Sequence, residues 1–304
     1  MIIEIDTYAA SGAASGTASG TDAAAEIDAF LAKHADSSMF LRANLARSGL
    51  VNGDQPFQGA YAVARNEAGE IRGVVAQYWN GLVVLQVPSH DPELDAAKLA
   101  RAAVEAGGKP VRGFAGPRAQ VVSARAALGM DGRQTRLDSD ERMYAVDLAR
   151  LQVPDPLKRG VVTCRQPLES ELNLLIEWRV AYAIDQLGAE DTPALRRQAK
   201  EEILRFTRDN HNWVLLCEDR PVAYAAFNAV TADMVQIGGV WTPPLLRSNG
   251  FARYCVAGAL QAAHANGVRR AVLFTGRSNW PALRAYVSLG FREVGDYSLV
   301  LFAD

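Results

Sequence analysis

Sulfur and imidazole are scarce in this chain, and what there is of them is scattered. Cys164, Cys217 and Cys255 form no C-x-x-C pair, and His34, His90, His211 and His264 form no H-E-x-x-H motif, so neither a zinc site nor a disulfide framework is expected. Long apolar runs are missing too, which excludes a bilayer-spanning helix and leaves no membrane partner to expect. The first residues carry Glu4 and Asp6 where a secretory leader places basic ones, so the expected location is cytoplasmic. Charge of one sign is not in excess either. Thirty-two Lys plus Arg against 34 Asp plus Glu leave a formal charge of -2, without the positive field that would collect nucleic acid. Arg196-Arg197 and Arg269-Arg270 are isolated pairs. A small-molecule partner is the expectation that survives these absences.

What is present is an ordinary globular composition, 49% apolar and 22% charged over 304 residues, enough for two cores. Tyr8 to Ala25 is a tract of Ala, Ser, Gly and Thr with almost nothing large to bury, read as a flexible surface segment. Two short helices follow, carrying Ile27, Phe30 and Leu31, then Met39, Leu41 and Leu45. Three strand-like runs, Gly59 to Arg65, Ile71 to Trp79 and Leu82 to Val87, are separated by turn residues that include Asn80-Gly81, and they imply an antiparallel meander. A helix over Asp91 to Ala106, a short strand near Val111 to Ala115, a helix over Pro117 to Leu128 and a strand over Met143 to Leu148 complete a first half. The proline-bearing stretch 149–160 reads as a linker. Beyond it the same order returns. Helices are expected over Glu169 to Leu187 and Pro193 to Thr207, with strands over Trp213 to Glu218, Pro221 to Ala229 and Met234 to Trp241. A helix over Gly250 to Asn266, a strand over Ala271 to Thr275, a helix over Asn279 to Leu289 and a strand over Tyr297 to Phe302 close the chain.

The repetition extends to the letters. The window GFAGPRAQVVSARAALGM from Gly113 lies over LFTGRSNWPALRAYVSLGF from Leu273, with Leu128-Gly129 against Leu289-Gly290 and the second window one residue longer. Two halves of one α+β (α/β) architecture follow, with boundaries near 1–150 and 157–304, each a mixed, mostly antiparallel sheet flanked by helices.

The segment Val240, Trp241, Thr242, Pro243, Pro244, Leu245, Leu246, Arg247, Ser248, Asn249, Gly250, Phe251, Ala252 leaves a strand and opens a long helix. Its chemistry is that of an anion site. The first amides of a helix lack internal partners and the macrodipole places partial positive charge there. Gly250 and Ala252 keep side chains out of the way, and Arg247 adds charge. Taken with Asn279-x-x-Ala282-x-x-x-Tyr286-x-x-Leu289-Gly290-Phe291 downstream, the chain from about Thr163 to Phe302 resembles the GNAT superfamily of acyl-CoA-dependent N-acyltransferases. The whole chain then reads as two tandem GNAT-like domains.

The resemblance implies acetyl-CoA or coenzyme A as co-substrate, a small-molecule amine as acceptor, and no metal. It implies that Val240, Trp241, Thr242, Arg247, Ser248, Asn249, Gly250, Phe251 and Ala252 hold the coenzyme, with backbone amides near Val240 polarising the thioester, and that Gly238-Gly239 forms a bulge beside the pantetheine arm. Asn279 would bind the arm, and Tyr286 would bind near the sulfur and protonate the departing thiolate. The residues agree: Asn279 is an N-cap type, and Tyr286 lies two turns on along nearly the same face. In the first half Arg118 and Arg125 occupy the places of Asn279 and Tyr286, and Pro88-Ser-His-Asp-Pro-Glu stands where a phosphate loop should be. That half resembles a degenerate GNAT-like domain without a coenzyme site, whose expected job is to wall the acceptor pocket.

A carboxylate is expected to help deprotonate the amine. Asp185 is named for this role, with Glu190 and Asp191 as alternatives, while His211 reads as structural or exposed. None of the cysteines falls in these blocks as a His-paired nucleophile, so direct attack is expected. A monomer or a homodimer is expected. An acyl-CoA-binding regulatory protein without turnover is the alternative reading.

Overall fold

The computed structural model describes residues 3–9, 20–88 and 96–303. In chain order the elements are β1 (Glu4–Tyr8), α1 (Gly20–Ala32), α2 (Ala35–Ser48), β2 (Gly59–Arg65), β3 (Ile71–Tyr78), β4 (Leu82–Gln86), α3 (Ala96–Gly107), β5 (Gly113–Gly116), α4 (Arg118–Ala127), β6 (Thr135–Asp147) and α5 (Asp155–Lys158). The chain continues through β7 (Val162–Arg165), α6 (Leu172–Leu187), α7 (Pro193–Arg208), β8 (Asn212–Cys217), β9 (Arg220–Val230), β10 (Met234–Trp241), α8 (Phe251–Ala265), β11 (Arg270–Gly276), α9 (Trp280–Ser288) and β12 (Arg292–Phe302). The repeated order of strands, helix, strand, helix, strand is therefore present in both halves, as the sequence repeat requires.

Two compact units result, and their limits differ from the expected 1–150 and 157–304. One comprises residues 1–141 together with 295–304, the other residues 142–294. In the first, β1 to β5 lie in sequence order, followed by the part of β12 after residue 294 and the part of β6 before residue 142. In the second, the order from the remainder of β6 is β11, β10, β9, β8 and β7. β1–β2, β2–β3, β3–β4, β5–β12, β7–β8, β8–β9 and β9–β10 pair antiparallel, and β4–β5 and β10–β11 pair in parallel. The division cuts through two strands instead of falling in the proline-bearing stretch, which itself holds α5.

Other departures have simple causes. β1 has one buried residue, Tyr8, because an edge strand pairs on one side and needs little apolar surface. The tract read as flexible lies partly outside the described residues, but 20–25 belong to α1, where Ala23 is 2% exposed. Alanine favours the helix once a packing face exists. The first half of β6, Thr-Arg-Leu-Asp-Ser-Asp-Glu, is too acidic to read as a strand and owes its extension to pairing. The start of the helix expected from Asp91 lies outside the described residues.

The first core joins Val75, Val83, Leu85, Leu99 and Phe114 to Val300 and Phe302 from the end of the chain. Phe302 stands edge-on to Phe114 with centroids 5.9 Å apart, under the Arg133 guanidinium at 4.4 Å. In the second unit α8 packs Cys255, Val256, Ala259, Leu260 and Ala263 on one face of the sheet. On the other face α6 and α7 bury Leu175, Trp178, Ile203 and Phe206 against Val214, Tyr224 and Trp241. Apolar residues at helical spacing thus fix both helix layers.

Truncating Phe302 tests whether the final strand completes the first core. The Phe302→Ala variant should lose about 3–4 kcal/mol in denaturant unfolding, the usual range for a buried aromatic. A loss under about 1 kcal/mol would separate the strand from that core.

Candidate active site

One irregularity in the second sheet organises the site. β10 and β11 pair in parallel from Met234↔Arg270 to Ile237↔Leu273, and there the ladder stops, although both strands continue. On its other side β10 pairs with β9 through Gly238↔Ala226 and then Trp241↔Tyr224, so three steps on β10 match two on β9. The extra residue is a bulge. Gly239 has φ +60°, an angle glycine reaches without steric cost. The parted ladder leaves the β11-facing backbone of residues 238–241 unpaired within the sheet, an edge on which an extended, amide-bearing ligand can add like a strand.

The loop after β10 folds tightly under the start of the helix that follows. Ser248 and Gly250 both have positive φ, +69° and +78°, and the Asn249 side-chain amide donates to the carbonyls of Leu246 and Arg247, folding the loop under the start of α8. A Cβ at Gly250 would lie 3.0 Å from the Tyr254 ring. A cavity of about 380 Å³ opens here, lined by Ser248, Asn249, Gly250, Arg253, Tyr254 and Arg284 among others. Arg253 Nε is buried without a hydrogen-bond partner. A cation in the first turn of a helix opposes the macrodipole, so Arg253 is in an unfavourable place unless an anion joins it. That signal was available in the sequence, as was Arg284 two positions before Tyr286, and neither residue had been picked out.

Arg247 does something other than the motif suggested. Its guanidinium lies 4.9 Å over the Trp241 ring, donates through Nε to the Thr242 carbonyl at 3.1 Å, and through Nη2 to Asp185 at 3.0 Å. It faces α6 and does not line the cavity. Hydrogen bonds from Gln186 and Arg247 hold the Asp185 carboxylate below its ordinary range, which makes it a weak proton acceptor. Acids on α6, on α7 and in the loop between them are similarly engaged: Glu177 and Asp191 with Arg196, and Glu202 with Arg179 at 2.6 Å.

Asn279 caps α9, its side chain accepting from the Ala282 N–H at 3.4 Å. Tyr286 is 9% exposed with its ring tilted against Phe291. Burial pushes its hydroxyl well above the ordinary range, and Tyr182 on α6 adds to the shift. Tyr182 also meets Trp241 edge-on, 6.5 Å between centroids. Trp241 and Thr242 are buried, Val240 and Phe251 pack at the margin of the core, and Ala252 lies in the first turn of α8. The structure thus gathers the bulge, the loop, the helix start and α9 at one end of the second sheet. It leaves Arg247 and Asp185 paired with each other.

Residues 174–291 match the model of the Acetyltransferase (GNAT) family. This part of the chain is a GNAT acetyltransferase domain. No protein of curated function matches the chain in sequence. Among solved structures, a Drosophila protein is similar in fold at 11% identity and TM-score 0.64, covering 93% of this chain and 97% of that one. A GCN5-related N-acetyltransferase from Sphaerobacter thermophilus matches at 15% identity and TM-score 0.58, over 97% and 94%. A tandem GNAT protein from the clavulanic acid biosynthesis pathway matches at 13% identity and TM-score 0.52, over 99% and 98%. At these identities the likeness is one of fold, and it spans both halves.

The first half closes what the GNAT domain opens. With Gly113 in register with Leu273, the β4–β5 ladder runs past the point where β10 and β11 part, through Val83↔Phe114 to Val84↔Ala115. The Gln120 side chain then accepts from the Val87 N–H at 2.8 Å. Arg125 and Arg118, in the places of Tyr286 and Asn279, are bound to Asp138 and Asp140. The segment standing for a phosphate loop falls largely outside the described residues.

The loop conformation gives a direct test. Gly250→Ala should destabilise the GNAT domain by about 1–2 kcal/mol, the usual penalty for a left-handed non-glycine residue, readable as a fall in melting temperature. An unchanged melting temperature would mean that the loop does not need φ +78° at this position.

Proposed function

We propose that the second unit moves an acetyl group from acetyl-CoA to the primary amine of a small molecule or amino acid, by direct attack of the amine on the thioester. One observation carries this reading: the parting of β10 from β11 at the Gly239 bulge lies next to a cavity with two arginines and the start of α8. A coenzyme with a diphosphate at one end and an amide-bearing arm leading to a thioester needs both features in that order. The buried, partnerless Nε of Arg253 and the space kept by Gly250 fit the diphosphate.

In this reading the first amides of α8, Arg253 and Arg284 hold the phosphates, and the unpaired edge of β10 holds the arm. A backbone N–H in the Gly239–Val240 bulge accepts the charge that develops on the carbonyl oxygen. As the amine nitrogen bonds to the carbonyl carbon and the C–S bond breaks, the Tyr286 hydroxyl gives its proton to the thiolate. Its raised pKa keeps it protonated across the neutral range, so it can only donate there. The proton lost by the amine passes to water, and the Tyr286 phenolate takes one back from water. Asp185 takes no part in that transfer and serves as the partner of Arg247. A cysteine intermediate is disfavoured because burial, followed by contact with Cys164, pushes the Cys255 thiol up and keeps it neutral.

Coenzyme A release from acetyl-CoA across a panel of primary amines tests turnover, and acetyl-CoA binding without release for any amine would favour the binder reading. Asp185→Asn should leave kcat within about threefold, whereas loss of a general base typically lowers it by about 10²–10⁴-fold. Tyr286→Phe should lower kcat at least about tenfold, with coenzyme affinity moved by less than about 1 kcal/mol. The wild-type kcat profile should show no alkaline fall from Tyr286 below about pH 10, because its folded pKa lies above the free value. Wild-type turnover in a folded Phe variant would leave Tyr286 as packing alone.

A further inference from the structure

We infer that the acceptor site of the second unit takes an α-amino acid, with Arg179 holding its carboxylate. The inference rests on the acetyl-transfer reading above and adds what the acceptor must carry beside its amine. Arg179 belongs to α6, and its side chain is 16% exposed. A Cβ placed on Gly239 would lie 3.9 Å from Arg179 Nη1 and 3.8 Å from the Tyr224 ring. The guanidinium therefore stands beside the bulge, on the face of the sheet where α6 and α7 pack against Tyr224. It also lies 5.0 Å over the ring of Tyr182, which meets Trp241 edge-on.

Arg179 Nε donates to Glu202 Oε2 at 2.6 Å, and the other Glu202 oxygen accepts from the Gln198 amide at 2.8 Å. Neither Nη group of Arg179 has a hydrogen-bond partner among the described residues. The pair is neutral as a whole, so what it offers a ligand is unused N–H groups and not surplus charge. A structural explanation would be that Arg179 ties α6 to α7. One bond through Nε does that, and it leaves both Nη groups idle in a mostly buried place, where unmet donors are costly. A pair of apolar side chains would join the two helices without that cost.

Two Nη groups side by side call for a ligand group with two parallel acceptor oxygens. A carboxylate is such a group, and the planar guanidinium holds it by a two-pronged fork. Covalent geometry then sets where the amine goes. In an α-amino acid the amine nitrogen lies about 2.5 Å from the carboxylate carbon, two bonds away. A carboxylate on Arg179 therefore keeps the amine within a few ångströms of Gly239, where the acetyl-transfer reading puts the thioester carbonyl. The same residue thus selects the acceptor and aims its nitrogen at the bulge.

The test uses the full chain with coenzyme A at saturation. Glycine, alanine, leucine, phenylalanine and aspartate are titrated by calorimetry, each beside its α-carboxamide. At least one of the acids should bind saturably and at least about tenfold tighter than its amide, the usual worth of charge-assisted hydrogen bonds. In Arg179→Met/Glu202→Gln, which removes both charges together and leaves neither unpaired, that preference should fall below about twofold while coenzyme A affinity stays unchanged. Should the double variant fail to fold, Arg179→Lys, which keeps a charge for Glu202 and loses the fork, should cut the preference at least about threefold. No saturable binding by any of the acids, equal affinity for acids and amides, or a preference that a folded variant retains in full would overturn the proposal. So would an equal loss for acids and amides, which would leave Arg179 as a link between helices. Selective binding of an acid without release of coenzyme A from acetyl-CoA would support the carboxylate site and sink the acetyl-transfer reading alone.

Discussion

The proposed chemistry of this protein rests on where a pair of parallel strands stops pairing. Backbone amides and carbonyls in a sheet are either satisfied by the neighbouring strand or left for something else. In the second unit β10 and β11 part after Ile237↔Leu273, and a bulge at Gly239 follows directly. In the first unit the corresponding ladder continues to Val84↔Ala115, and Gln120 meets the Val87 N–H beyond it. The two halves share an element order and differ in whether two more rungs are formed. In the proposed reading that small difference decides which half has room for an extended ligand.

Around the gap, arginines are sorted by partner. Arg253 is held near the start of α8 with its Nε unpaired, at the end of the helix where a cation is least comfortable. Arg247, the motif residue with the more obvious place in the sequence, is spread over Trp241 and tied to Asp185. An exposed ion pair of this kind contributes little to stability. Acids of α7 and of the loop before it meanwhile neutralise nearby arginines, as Glu202 does for Arg179 and Asp191 for Arg196. The near-zero total charge conceals local excesses of this sort.

Chain connectivity adds a constraint of its own. Residues 142–294 form one unit between the two segments that make the other, and Val300 and Phe302 belong to the core of the first. The first unit cannot complete its core until nearly the whole chain has been made, and its closure joins residues nearly two hundred positions apart, as in Phe114 against Phe302. Contacts of such separation carry a loop-closure cost that local helix packing avoids. The second unit, contiguous in sequence, has no such delay.

Much of this was legible in the residues themselves. Helix spacing placed Ile203 and Phe206 on one face of α7, Asn279 at the cap of α9 and Tyr286 two turns on, because these features depend on local periodicity and on side chains bonding to nearby backbone. The glycine pair at 238–239 marked the bulge, since few other residues accept its angles. The repeat between the halves named the shared architecture. The acidic first half of β6 and the polar β1 escaped notice because neighbouring strands, not their own composition, hold them extended. What only the tertiary structure decided are the choices among distant partners: that Arg247 turns to Asp185 and leaves the cavity to Arg253 and Arg284, and that the last strand returns to the first core. The physical reason is the same for each. A guanidinium or an apolar strand can satisfy itself at several places, and the one it takes is set by which groups the whole fold brings within a few ångströms.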